Sequence, residues 1–178
     1  MTQAAQGFVA LITGNRGAAS YFDFSQRGLI GSFIALLLAA AINAFAPGLF
    51  GMPGPPGAAT YSIILAGALF AVQVGVIHLV LRQMGRLDGF LPYLVADNWV
   101  GLFISLLTLL MLVVLRAGDF GILLVGLLAI VVEVNIARLI VTLAPMQVVL
   151  FIGAQIAAQL VGVLLLGTFL PSAPPPAV

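Results

Sequence analysis

The chain has 178 residues, of which 63% are hydrophobic and 6% charged, and its mean hydropathy is +1.27; a soluble domain carries about 25% charged residues. Its formal charges are six arginines (Arg16, Arg27, Arg82, Arg86, Arg116, Arg138) and five acids (Asp23, Asp88, Asp97, Asp119, Glu133), with no lysine. So few charges cannot coat a water-facing surface, which excludes a soluble enzyme, a nucleic-acid binder and a disordered chain.

In chain order, the first feature is a short apolar stretch from Phe8 to Ile12. No basic residue precedes it, so it reads as an N-terminal interfacial segment (1–24) rather than a signal peptide. Residues 3–13 fit a short, weakly amphipathic helix lying on the inner leaflet, weak because Gly7 interrupts it and it has no basic face. Apolar runs near the ~20 residues that a helix needs to cross a bilayer follow at 28–46, 61–82, 93–115, 121–142 and 146–170. They predict an all-α bundle of five transmembrane helices in a domain spanning 25–170. Ser25 or Asp23 would cap the first span, Pro47 follows it, Pro145 breaks the fourth from the fifth and Pro171 ends the last. The loop 47–59, rich in proline and glycine, reads as an irregular cap, and 171–178 as a solvated Pro-rich tail.

Basic residues in short loops stay on the cytoplasmic side. Arg16, Arg27, Arg82, Arg86 and Arg138 share one side under the five-span reading, and only Arg116 falls on the other. The expectation is a cytoplasmic N-terminus, an external C-terminus and a multi-pass protein of a bacterial cytoplasmic (inner) membrane. An arginine-only basic set with abundant alanine, glycine and proline suggests a GC-rich bacterial genome.

Membrane helices associate through small residues and interhelical hydrogen bonds. Gly31, Ala35 and Ala39 recur at helical spacing on the first span, Gly67, Ala71 and Gly75 on the second, and Ala154, Ala158 and Gly162 on the fifth. Bundle packing is the ordinary use of such stripes.

Counting depth at ~1.5 Å per residue from the cytoplasmic end of each span puts Gln73, Glu133 and Gln155 in one layer near the midplane, with Gln159 a turn beyond Gln155. The fourth and fifth spans, joined only by Leu143, Ala144 and Pro145, are expected to be antiparallel neighbours that bring Glu133 to Gln155. His78, Asp97, Asn98 and Arg138 form a second cluster nearer the cytoplasm, with Asp97 and Arg138 as an ion pair. A charged group in the bilayer centre costs ~2.5–3.5 kcal/mol by insertion scales, so these groups should face the bundle interior. Either they fix register, or they make a polar path to a midplane carboxyl able to bind a proton or small polar solute.

Catalytic geometry is thin. Ser105 has no Gly-x-Ser-x-Gly setting, and Asp119 after Gly118 is better placed as a helix cap. Without cysteine, and with His78 as the single histidine, thiolate chemistry, disulfides and two-histidine metal spacings are gone. No catalytic residue, metal or cofactor is expected. Trp99 and Tyr93 match an interfacial aromatic belt.

Five spans, small size and the short lead-in resemble the Yip1 family. Locally, Tyr21-Phe22-Asp23-Phe24-Ser25-Gln26-Arg27-Gly28 leading to Ser32-Phe33, with Ala96-Asp97-Asn98-Trp99 opening the third span, is similar to small Yip1-like proteins of alphaproteobacteria, over about residues 20–170. The resemblance implies a five-helix integral membrane fold and no defined activity, because the vesicle-traffic role of eukaryotic members does not carry to a bacterium. The expected role is a non-catalytic scaffold or accessory subunit, partnered by the lipid bilayer and by another membrane protein or further copies of itself, without nucleic acid. The alternative is a small permease, or part of a proton- or solute-conducting complex, built on Glu133.

Overall fold

The computed structural model describes residues 2–51 and 56–169; the expected tail at 171–178 and part of the 47–59 loop lie outside them. The helices are α1 (Thr2–Ile12), α2 (Gln26–Leu49), α3 (Ala58–Gln83), α4 (Phe90–Leu109), α5 (Gly118–Asn135) and α6 (Pro145–Phe169), and there is no strand among the described residues. The last five contain segments long and apolar enough to cross a membrane, between 21 and 27 residues each. The protein is therefore an all-α, multi-pass membrane protein of five spans.

Local chemistry sets where α2 starts. The Asp23 carboxylate accepts from the Ser25 amide at 2.9 Å, and the Ser25 hydroxyl accepts from the Gly28 amide at 3.2 Å, so Ser25 is the N-cap. Hydrogen bonds from the Ser25 side chain and backbone, helped by Arg27, hold the Asp23 carboxyl below its usual range. The stability this adds is present above the ordinary carboxylate pKa and is lost as pH falls through the lowered value. Pro47 does not end the span as the sequence predicts: it lies inside the last turn of α2, which runs to Leu49. In a final turn proline costs the helix one backbone bond rather than its continuation.

α4 and α5 end on a shared device. Each widens into a π turn, Leu110–Val114 and Ile136–Ile140 respectively. Each then places a non-glycine residue in the left-handed region, Arg116 at φ 48° and Thr142 at φ 56°. The Ala117 amide donates to Met111 O at 2.9 Å and the Leu143 amide to Ala137 O at 3.0 Å, occupying carbonyls that the helix ends would leave open. At the second site Arg86, from the α3–α4 connection, donates to Val141 O at 2.5 Å and to Thr142 O and Thr142 Oγ1 at 2.6 Å. A guanidinium on the last carbonyls of a helix meets the negative end of its dipole.

α4 is the central span, packed on α1, α2 and α5. Ala35 and Ala39 of α2 are buried against Leu102 of α4, which uses the first small-residue stripe. The fifth span departs from expectation. α6 packs chiefly on α3 and only lightly on α5, although a three-residue link joins it to α5. Gly162 allows that contact, since a Cβ there would lie 2.8 Å from Leu69 Cδ2. On α3 the stripe Gly67, Ala71 and Gly75 faces outward.

α1 forms as predicted, but it is docked rather than resting only on lipid. It crosses α4 from the α2 side, where Gln3 shares a depression with Gly31 and Trp99, to α5, where Leu11 O accepts from Asn135 Nδ2 at 2.8 Å. Phe8 stacks on Phe103 with centroids 5.3 Å apart. Gly7 sits where the chain folds back on α1, and a Cβ there would come within 2.7 Å of the Phe22 ring. The last-turn carbonyl of α1 thereby satisfies an asparagine that would otherwise be unpaired within a span.

Candidate functional site: a polar cluster at mid-span

Both acids of the inner bundle lie at one depth. Asp97 is seven residues beyond Phe90, where α4 begins, and Glu133 seven before Ile140, where α5's π turn ends, about 10 Å along the axis in each case. Gln73 lies ten residues from the end of α3 at Gln83 and Gln155 ten from the start of α6 at Pro145, about 15 Å. α4 and α5 therefore each deliver an acid, and α3 and α6 each an amide about one helical turn further along, within reach of long side chains.

Tyr93 joins them. It is fully buried, with its ring edge-on to Phe151 at 5.3 Å. Its hydroxyl lies 2.7 Å from Glu133 Oε1 and 3.0 Å from Gln155 Oε1. Gln73 Nε2 donates to Gln155 Oε1 at 3.5 Å. Asp97, one turn beyond Tyr93 on α4, is within interaction range of the phenol and of Glu133. A phenol has one hydrogen and cannot serve two acceptors at once. The set closes when the Glu133 carboxyl is the neutral acid: it donates to the phenol oxygen, the phenol donates to Gln155 Oε1, and Gln73 donates to that same oxygen. Gln155 Nε2 is then left buried without a partner.

The expected midplane group of Gln73, Glu133, Gln155 and Gln159 lines one cleft of about 270 Å³ between α3, α5 and α6, together with Ile130 and Ile156. Gln155 comes within interaction range of Glu133, as expected, and the Tyr93 hydroxyl bridges the two. The light packing of α6 on α5 is what leaves the cleft open.

The second cluster does not assemble. Among the described residues the ion pair is Arg86–Asp88 at 3.4 Å, and Asp97 and Arg138 form none. The cause is the start of α4. Pro92 fits the first helical turn, so the helix begins at Phe90 and not at Tyr93, which carries Asp97 to the level of Glu133. Arg138 remains two residues from Ile140 and is exposed. His78 is also exposed and meets Phe90 edge-on at 5.1 Å. Asn98 turns away from both and donates to Ser32 Oγ of α2 at 3.1 Å, with its Oδ1 buried and unpartnered.

Tyr93 is the residue that sequence reasoning assigned elsewhere, to the aromatic belt. The i, i+4 spacing of Tyr93 and Asp97 was the available signal, since it stacks a phenol and a carboxyl on one helical face. Tyr93→Phe is expected to cost about 1–2 kcal/mol, measured as loss of thermal stability in detergent, because two polar groups lose their shared partner. Combined with Glu133→Leu, the loss should be clearly less than the sum of the two.

The chain matches no protein-family model, no curated protein and no solved structure.

Proposed function

We propose that this membrane protein works by binding, as a small permease or as the solute-handling part of a larger membrane complex, and that its working part is the Glu133 cleft. One observation carries the reading: an acid and three amides, Glu133, Gln73, Gln155 and Gln159, line one open cleft within the membrane-spanning bundle. Polar groups that served only to fix register would be turned into the bundle to find partners, since an unmet buried one costs about 1–3 kcal/mol, rather than gathered on a cleft. A cleft lined by an acid and amides among apolar side chains has the composition of a binding site, mostly apolar with a few convergent polar groups. In this reading the Arg86 end is cytoplasmic and the membrane is a bacterial inner membrane, which the arginine asymmetry supports.

The accessory-subunit reading has its own support in α3. Its spanning window is 6% buried, and the outward stripe of Gly67, Ala71 and Gly75 is of the kind that lets another helix approach closely.

The test is transport in reconstituted vesicles with an entrapped pH dye and an imposed solute or proton gradient. Glu133→Gln keeps the shape and a donor, so the variant should fold with wild-type thermal stability. Loss of proton-coupled flux in that folded variant supports a permease in which the carboxyl titrates, because an amide cannot exchange a proton in this way. A wild-type protein that neither moves nor binds a solute under any gradient contradicts the reading.

A further inference from the structure

We infer that the proton of Glu133 is exchanged not through the cleft but through the bundle, where the Tyr93 hydroxyl passes it to Asp97 and back. The inference rests on the binding reading above, in which the cleft carboxyl titrates, and it names the residues that load and unload that carboxyl.

Placement comes first. Asp97 and Glu133 lie at one depth on helices that pack together, and Asp97 is within interaction range of both the phenol and Glu133. Glu133 lines the cleft, whereas Tyr93 and Asp97 do not. A fully buried phenol therefore stands between the cleft acid and a second acid outside the cleft. The groups acting on the two acids are each other, Tyr93 and Gln155. Arg27 of α2, His78 and Arg82 of α3 and Arg138 beyond α5 are exposed and stand outside this set, and α6 has no ionisable side chain.

The hydroxyl can carry the proton in both directions. It lies 2.7 Å from Glu133 Oε1, with one hydrogen to give and lone pairs to accept another. Gln155 Oε1, 3.0 Å away, is also served by Gln73 Nε2, so the phenol hydrogen can turn from it to Asp97 without leaving an acceptor unmet. Glu133 then donates to the phenol oxygen while the phenol donates to the Asp97 carboxylate. Transfer along this line breaks the Glu133 O–H bond as that proton joins the phenol oxygen, and breaks the phenol O–H bond as its own proton joins Asp97. The hydroxyl is regenerated, and the net change is one proton moved from Glu133 to Asp97. Two carboxylates so placed, away from bulk water, are not both ionised, so the pair keeps the proton that moves.

Gln155 shows that the site is also built for the unloaded state. Its Nε2 is buried without a partner, yet the side chain is within interaction range of Glu133. Beside a neutral carboxyl that amide is an unmet donor. Beside the carboxylate left when the proton departs, it makes a charge-assisted hydrogen bond.

The experiment uses the whole protein in phosphatidylcholine vesicles and follows Glu133 by infrared spectroscopy with glutamate carboxyls labelled. On transfer to heavy water, the carbonyl stretch of the protonated carboxyl drops in frequency as its hydrogen is replaced by deuterium. The expected result is at least tenfold slower replacement in Tyr93→Phe and in Asp97→Asn, with Asp97→Glu, which keeps an acid, recovering more than half of the lost rate. Loosening of the bundle would admit water and speed the exchange, so slowing is not what a merely structural role produces. Unless both variants slow, the proton has another route, and the inference falls while the binding reading stands. A second measurement needs no variant: at neutral pH the protonated bands of labelled glutamate and labelled aspartate together should amount to one carboxyl. The other three aspartates are exposed, and a carboxylic acid in water is ionised at that pH. A total of two, or of none, overturns the relay, because either the acceptor or the proton is missing. A wild-type Glu133 that stays protonated and unexchanged for many hours has a carboxyl that does not titrate, and then both the inference and the permease reading fall.

Discussion

Arg86→Ala is expected to be among the most destabilising single substitutions in the protein, at about 3 kcal/mol, seen as a large drop in the thermal midpoint in detergent. The guanidinium makes three bonds to Val141 O, Thr142 O and Thr142 Oγ1. Bonds from a charged donor contribute about 1.5–3 kcal/mol each. They are not additive, and the side chain is 25% exposed, so the sum is discounted for solvent. The loss also falls on a strained point, because Thr142 is held at φ 56° and a non-glycine residue there needs its surroundings to hold it. Arg86→Lys keeps the charge but not the planar fork, and should recover less than half of the loss. A full recovery by lysine would show that charge alone matters at this helix end.

Gly28→Ala is expected to cost a similar amount, about 3 kcal/mol, through a different cause. A methyl at this position would overlap the backbone carbonyl oxygen of Asp23. Backbone cannot swing aside as a flexible side chain can, so the turn from Asp23 to Gly28 must open. Opening it breaks the Ser25 cap, whose bond to the Gly28 amide is 3.2 Å, and a cap alone is worth about 1 kcal/mol. Ser25→Ala should therefore reproduce about a third of the Gly28→Ala loss in a thermal melt. Equal losses from the two would mean that the cap, not the overlap, limits the substitution.

Much of the architecture could be read from hydropathy, since each span is a long apolar run between breakers. Pro47 and Pro92 show where that reading slips. Pro47 reads as the end of the first span, but α2 runs on to Leu49, and the third apolar run begins at Tyr93 whereas α4 begins at Phe90, with Pro92 in its first turn where proline is tolerated. A shift of three residues in the start of α4 was enough to move Asp97 from a supposed pair with Arg138 to the level of Glu133. Glu133, Gln73 and Gln155 were legible as one layer because depth along a straight helix is simple arithmetic. Tyr93 was not, because a tyrosine near a helix start is ordinarily an interfacial residue, and only the rotation of α4 about its axis decides that it points inward. The light contact between α5 and α6 was hidden for a related reason. A short link fixes which helices are close at one end, while the side chains along their length, such as Gly162 against Leu69, choose the packing partner.

The claim that carries the rest is that Glu133 is a neutral acid bonded to the Tyr93 phenol, whose contact is 2.7 Å. Isotope-edited infrared spectroscopy of the protein in vesicles at neutral pH, with glutamate carboxyls labelled, tests it directly. Glu133 is the only glutamate in the chain, so the labelled band belongs to it alone. The expected band is the carbonyl stretch of a protonated, hydrogen-bonded carboxyl, moving to higher frequency in Tyr93→Phe as one bond is lost. The symmetric and antisymmetric bands of an ionised carboxylate, unchanged in Tyr93→Phe, would contradict it.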